Sequence, residues 1–340
     1  MTDARSHAEP RRHHQVPQFL LRAFGTERRP GRFQIQAYDK WQGRRITSAI
    51  ENLAVESDFN SLDRDGVRIS LEEGMGLIES AAAPPIREIN ESASFNRMSI
   101  EDRASIDLFC ALQFLRGTGL RAQFSDMSAQ MREWVGRVAA ANGAGFDEPE
   151  EATEDLKGAA FQIIARSLLD FSRYFDAKDL LLFEAPAGEE FLIGDNPIAM
   201  QNAQNFGAYG NIGLMVPGIE VYVPISSRLT LAWCPSILPR LRSLIDEADA
   251  RLAPIDIPAE ISDDDLAETR AARTRLAQIV ELSQTGNAIP SEVDNVTRLN
   301  SLQVKWAERW VMAGGGNFEI VERMIGDNDA IRTGKRISVV

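Results

Sequence analysis

Four short apolar runs decide the architecture: DLLLFEAP (179–186), EEFLIGD (189–195), GIEVYVPIS (218–226) and RLTLAWCP (228–235). Each is short for a helix, and each is bounded by Gly, Pro, Asn, Asp or Ser, the residues that end strands and make turns. Together they predict a mid-chain antiparallel sheet with partly buried strands. On either side, apolar residues recur instead at helical spacing. Upstream, Ser99-Ile100-Glu101-Asp102 has the spacing of a capping box and opens a helix carrying Ile106, Phe109, Cys110, Leu112 and Leu115 up to the Gly117-Thr118-Gly119 break. Helices are also predicted from about Leu120 to Ala141 and from Ala152 to Phe175, and downstream over Ser262 to Ser283 and Asp294 to Met312.

The N-terminal region is mixed. Pro17 opens a short helix whose Leu20, Leu21 and Phe24 share one face, with Gly25 as its stop. RFQIQAYDKWQGRRITSAI (32–50) alternates apolar and polar residues around a turn, the pattern of a β-hairpin with one wet face. From Ser70 to Asn90 the spacing is helical, but Pro84-Pro85 predicts two helices rather than one. Helices and strands in separate blocks give the fold class α+β, helix-rich, with an N-terminal β-hairpin and a mid-chain antiparallel sheet. Residues 1–12 are expected to be disordered and 13–330 to form one large domain, any subdivision falling near the acidic loop 142–155. The tail TGKRISVV (333–340) is expected to form an edge strand or hang free.

At 340 residues, 44% hydrophobic and 26% charged, the chain is long enough to bury a core without staples, which excludes collagen-like and wholly disordered classes. Cys110 and Cys234 lie in apolar surroundings and are expected to be free buried thiols in a reducing compartment. No apolar run approaches the roughly 18 residues of a membrane span, and the polar start MTDARSHAEPRRHH is unlike a signal peptide, so a cytoplasmic location is expected. The net charge of −13 divides unevenly: residues 1–46 hold ten Lys or Arg against four acids, +6, which leaves −19 for the remainder. That acidic body disfavours nucleic acid as a partner.

Absent motifs narrow the chemistry. GxGxxG after a strand, GxxxxGK[ST], GxSxG, HExxH and CxxC are all missing, so Rossmann, P-loop, α/β-hydrolase, zincin and zinc-ribbon readings lose local support. The histidines are His7, His13 and His14, so any imidazole-dependent mechanism must use the chain start.

The chain start reads HHQVPQFLLRAF (13–24), and further motifs follow in order: AYDKWQGRR (37–45), ENLAVESDF (51–59), LIES (77–80), FCALQFLRGTGLR (109–121), FLIGDNPI (191–198), VYVPISSRLTL (221–231) and VTRLNSLQVKWAERWV (296–311). This series resembles the domain-of-unknown-function family numbered 4238, whose members open with HHxVPQFYLRxF and carry an SDNP turn. The resemblance spans about residues 11–315. Leu20 stands where the family has Tyr, Gly117 to Gly119 where it has Thr-Pro, and Gly194 where it has Ser. It implies no activity, and the missing hydroxyl at 194 argues against a mechanism that needs one.

The residues themselves point to two classes of function. The first is a hydrolase acting on a phosphodiester or other anionic substrate: His13 or His14 as general base or ligand, Asp195 orienting the imidazole or holding a divalent ion together with Glu79, and Arg116 stabilising charge. Gln18, Gln113, Asn196 and Asn300 are the candidate substrate-binding amides. Adjacent residues of an extended chain face opposite ways, so His14, nearer Pro17, is the one expected to face the site. The alternative is a non-enzymatic binding or interaction module in which these residues fix the fold, His13 or His14 anchoring the chain start and Asp195-Asn196-Pro197 making an Asx turn.

Overall fold

The computed structural model describes residues 12–57, 61–64, 67–122, 153–204, 212–253 and 262–334, with isolated positions between 123 and 152. The expected disordered start up to residue 11, most of the helix expected over 120–141 and most of the acidic loop 142–155 lie outside the described residues. So does the end of the tail from 335.

The chain begins with β1 (Arg12–His14) and α1 (Gln18–Arg22), runs through β2 (Thr26–Arg29), β3 (Arg32–Asp39) and β4 (Arg44–Ala49), and reaches β5 (Val55–Ser57), which pairs antiparallel with β1. Pro17 precedes α1, where its missing N–H costs nothing, and Leu20, Leu21 and Phe24 are buried as a plug in the core. β3 and β4 form the expected hairpin, closed by Gly43 at φ 64°, but without a wet face throughout: Ile35 and Ala37 join the main core, while Tyr38 packs against Phe318 in a second one. After the β6 (Ser61–Arg64) and β7 (Val67–Ser70) pair come the long helices α2 (Glu72–Ser92), α3 (Ile100–Arg116) and α4 (Thr153–Asp176). The capping box at Ser99 forms as predicted, with Ser99 Oγ accepting from the Asp102 N–H and the Asp102 carboxylate from the Ser99 N–H.

The second half holds β8 (Asp179–Glu184), β9 (Ile193–Gly194), β10 (Ala199–Asn202), β11 (Ile219–Pro224) and β12 (Leu229–Cys234). A helical pair follows, α5 (Ile237–Leu252) and α6 (Asp263–Thr285), then β13 (Ile289–Pro290), α7 (Val293–Trp306), β14 (Trp310–Ala313) and α8 (Glu319–Asp327). The mid-chain sheet has the order β10-β11-β12-β8-β13, antiparallel except where β13 joins β8. Every residue of β12 is buried, so LTLAWC reads as an unbroken apolar run rather than an alternation. One core cluster extends from Val16 in the first segment to Met312 in β14. The helix-rich α+β class holds, and no helix among the described residues is long and apolar enough to cross a membrane.

Three local expectations are corrected. Pro84 and Pro85 do not split the helix: α2 runs through both, the prolines withdrawing only the N–H donors that would meet the carbonyls four residues earlier. The EEFLIGD run does not join the mid-chain sheet. Its strand β9 pairs with β14 in the other sheet, β2-β3-β14-β9 with β4 also on β3. The last long helix stops at Trp306, and Trp310–Ala313 becomes β14, the strand that joins β9 to the N-terminal hairpin.

Candidate functional site

A cleft of about 360 Å³ lies between the start of the chain, helix α2 and the C-terminal end of α3. His14, Gln18, Glu72, Glu79, Ser80 and Arg116 give it its polar character. β1 places the histidines by strand alternation: His13 is buried, its Nδ1 3.8 Å from Glu72 Oε1, while His14 is half-buried and lines the cleft. Gln18, at the first turn of α1, brings its amide nitrogen 2.8 Å from His14 Nε2. With the amide donating and the ring neutral, His14 carries its proton on Nδ1.

Arg116 closes α3, and its guanidinium is only 2% exposed. Nη2 lies 2.6 Å from Glu79 Oε1, while Nε and Nη2 donate to Gln113 Oε1 at 3.1 and 2.8 Å. Gln113, one turn earlier, donates in turn to the Gln15 carbonyl at 2.7 Å. A relay of polar contacts thus ties the chain start to α3 and α3 to α2, and holds the cation at the edge of the cleft. Glu72 and Glu79 are seven residues apart on α2, two helical turns, and so share one face. Glu72 and Ser80 were not anticipated from the sequence. The two-turn spacing of Glu72 from Glu79 is visible in the sequence, but only the approach of the chain start to this face of α2 makes it a site.

The remaining candidates lie outside this cleft. Asp195 is buried, Oδ1 accepting from the Glu308 N–H at 2.7 Å and Oδ2 from those of Arg309 and Trp310 at 2.8 and 2.9 Å. Burial pushes its carboxyl up to about 6, against the lowering pull of the three N–H donors and of Lys40. Asn300 accepts from the Leu192 N–H and donates to the Glu190 carbonyl, and Gln303 does likewise with Gly194 and Pro197. These two α7 amides splint the 190–197 segment to the helix. Asn196 donates to the Trp306 carbonyl at 3.3 Å. At Gly194, where the family pattern has Ser, a Cβ would come 2.9 Å from the Cβ of Ala307, the residue that caps α7, so a side chain there would have to displace this contact.

The structure therefore brings His14, Gln18, Glu79 and Arg116 together, with His13 and Gln113 behind them, and leaves Asp195, Asn196 and Asn300 in the splint around α7. Among the described residues, no three His, Cys, Asp or Glu side chains gather as a set that could hold a metal ion. Cys110 and Cys234 are buried free thiols.

No curated protein and no solved structure matches the chain. The family described as "Protein of unknown function (DUF4238)" matches residues 12–316, from the first strand to the turn before α8, and so takes in both five-stranded sheets, the cleft and the splint. By that match over most of its length, the chain belongs to the DUF4238 family.

Proposed function

We propose that the cleft is the site of a hydrolytic acid–base reaction on a small anionic substrate, with His14 as the proton-transfer group and Arg116 as the anchor for the negative charge. The observation that supports it most is convergence: an imidazole, a buried guanidinium, two carboxylates and a hydroxyl reach one open cleft from three separate segments. Imidazole is the side chain whose ordinary titration lies nearest neutrality, and displacement of Gln18 by substrate would offer Nε2 as the base. The charge balance refines the substrate class. One guanidinium faces Glu72 and Glu79, so a monoanionic group such as a phosphodiester or a carboxylate is tolerated better than a dianionic phosphomonoester. A divalent ion belongs to the same reading, and the assay includes one.

The test is hydrolysis of bis(4-nitrophenyl) phosphate and of 4-nitrophenyl phosphate by the full chain, with and without Mn²⁺. The diester should turn over faster than the monoester, and His14→Gln should lower the rate by about 10²-fold or more at unchanged melting temperature. Absence of turnover, or a rate indifferent to His14→Gln, would overturn the catalytic reading.

The second reading, a non-enzymatic binding or interaction module, is favoured by one observation. The Arg116 guanidinium is already engaged by Glu79 and by Gln113, as a cation that pins the chain start would be. On this reading His14→Gln costs about 1 kcal/mol of stability, the value of a lost hydrogen bond, and nothing else.

A further inference from the structure

A second cavity shares α3 with the cleft: Phe114 and Leu115 line it, where the next residue, Arg116, lines the cleft. Its volume is about 330 Å³. The described lining residues include no charged side chain. The walls are Leu, Ile, Phe, Met and Val from α3, α4, β10 and the segment before β11, with Trp306 from α7. Trp306 turns its polar edge away, donating Nε1–H to the Met200 carbonyl at 2.9 Å.

One polar side chain interrupts the apolar wall. Asn196 is 6% exposed, and its amide nitrogen donates to the Trp306 carbonyl at 3.3 Å. Its carbonyl oxygen accepts no hydrogen bond among the described residues. The position is built. Gly117 leaves room for the amide, since a Cβ there would come 2.9 Å from Asn196 Oδ1, and a Cβ at Gly119 would collide with Nδ2. The Gly-Thr-Gly break after α3 is thus what admits an amide at this wall.

An apolar cavity of roughly 150 Å³ stays dry and accepts benzene, and this one is about twice as large. The oxygen keeps some solvent-accessible surface, and a ligand that brings a donor satisfies it in place of water. We propose that this cavity binds a neutral, mostly apolar molecule the size of a bicyclic aromatic ring, with one hydrogen-bond donor directed at Asn196 Oδ1. The described lining offers a carboxylate no cationic partner, so a carboxylate-bearing analogue should bind more weakly. The inference is independent of the chemistry assigned to the cleft.

The test uses calorimetric titration of the full chain with three probes of similar shape: indole, benzofuran, which lacks the N–H, and indole-3-carboxylate. Indole should bind one-to-one, benzofuran about tenfold more weakly through loss of the hydrogen bond, and the carboxylate more weakly than either. Met200→Trp and Ile163→Trp, each adding bulk from a different wall, should abolish indole binding while the circular dichroism of the fold is retained. No indole binding, as when the cavity is filled by the chain itself, overturns the proposal. So do equal affinities for indole and benzofuran, or folded filling variants that bind indole like the wild type. The comparison of the two neutral probes needs only the wild-type chain, so a variant that fails to fold leaves the proposal testable.

Discussion

The Glu79–Arg116 pair admits a quantitative test of how the cleft is held. The guanidinium is 2% exposed and the carboxylate 25%, so the two ends of one 2.6 Å contact sit in different surroundings. Breaking a fully buried pair from one side costs roughly 3–5 kcal/mol, and exposed pairs are worth well under about 1 kcal/mol. A pair with one end reached by water belongs between these limits, at about 2 kcal/mol of coupling. Glu79→Gln strands a cation that water reaches only from the edge of the cleft, although Gln113 Oε1 still accepts from it. Arg116→Met leaves a carboxylate that water can solvate, but orphans the fully buried Gln113 oxygen. The single variants should therefore each lose about 2–3 kcal/mol, for different reasons, and the double variant should lose about 2 kcal/mol less than their sum. Urea unfolding at neutral pH, followed by tryptophan fluorescence, measures all four corners of the cycle. A coupling below about 0.5 kcal/mol would refute the reasoning, because the pair would then behave like an ordinary surface contact.

Phe24→Ala should destabilise the chain by on the order of 3 kcal/mol, since Phe24 is 2% exposed and packed in the core; an unchanged melting temperature would remove its role as a plug. Asp195 titrates at about 6 in the native state against an ordinary 3.8. Its contribution to stability is therefore full below about pH 4 and is lost as pH rises through about 6. The stability of wild type relative to Asp195→Asn should thus fall by about 2 kcal/mol between pH 4.5 and 7.5, and a difference independent of pH would contradict it. Burial holds the Cys110 and Cys234 thiols well above their ordinary range, Cys234 up to about 12, so native protein should resist iodoacetamide at pH 8 and react at both positions in urea; rapid native labelling, or a 110–234 disulfide found by mass spectrometry, would contradict it.

Part of the candidate site was legible because its signals are local. The adjacent histidines before Pro17 announced a strand with alternate faces, and Gln113 and Arg116 stood out as polar residues on an apolar helix face. Glu79 was found, whereas Glu72 and Ser80 were not, because nothing local shows which face of α2 meets the chain start. Asp195, in the Gly-Asp-Asn-Pro turn, and Asn300, on an apolar helix face, were legible as polar residues, but a buried carboxylate answered by three backbone N–H groups looks the same in sequence as one facing a substrate.

By itself the sequence determined whatever is written between near neighbours: the capping box at Ser99, the glycine stop after α3, the β3–β4 hairpin, the unbroken apolar run of β12, the α+β class and the family. Only the tertiary structure decided what depends on a distant partner. Ile193-Gly194 is too short for a periodic signal, and its sheet is set by hydrogen bonds to β14, more than a hundred residues away. The Trp310–Ala313 strand reads as a continuation of α7 until its pairing with β3 outweighs helical propensity. The meeting of His14, Glu79 and Arg116, and the presence of Asn196 in an apolar wall, arise where separate elements pack; periodicity and capping describe each element alone, and they hold no information about which faces meet.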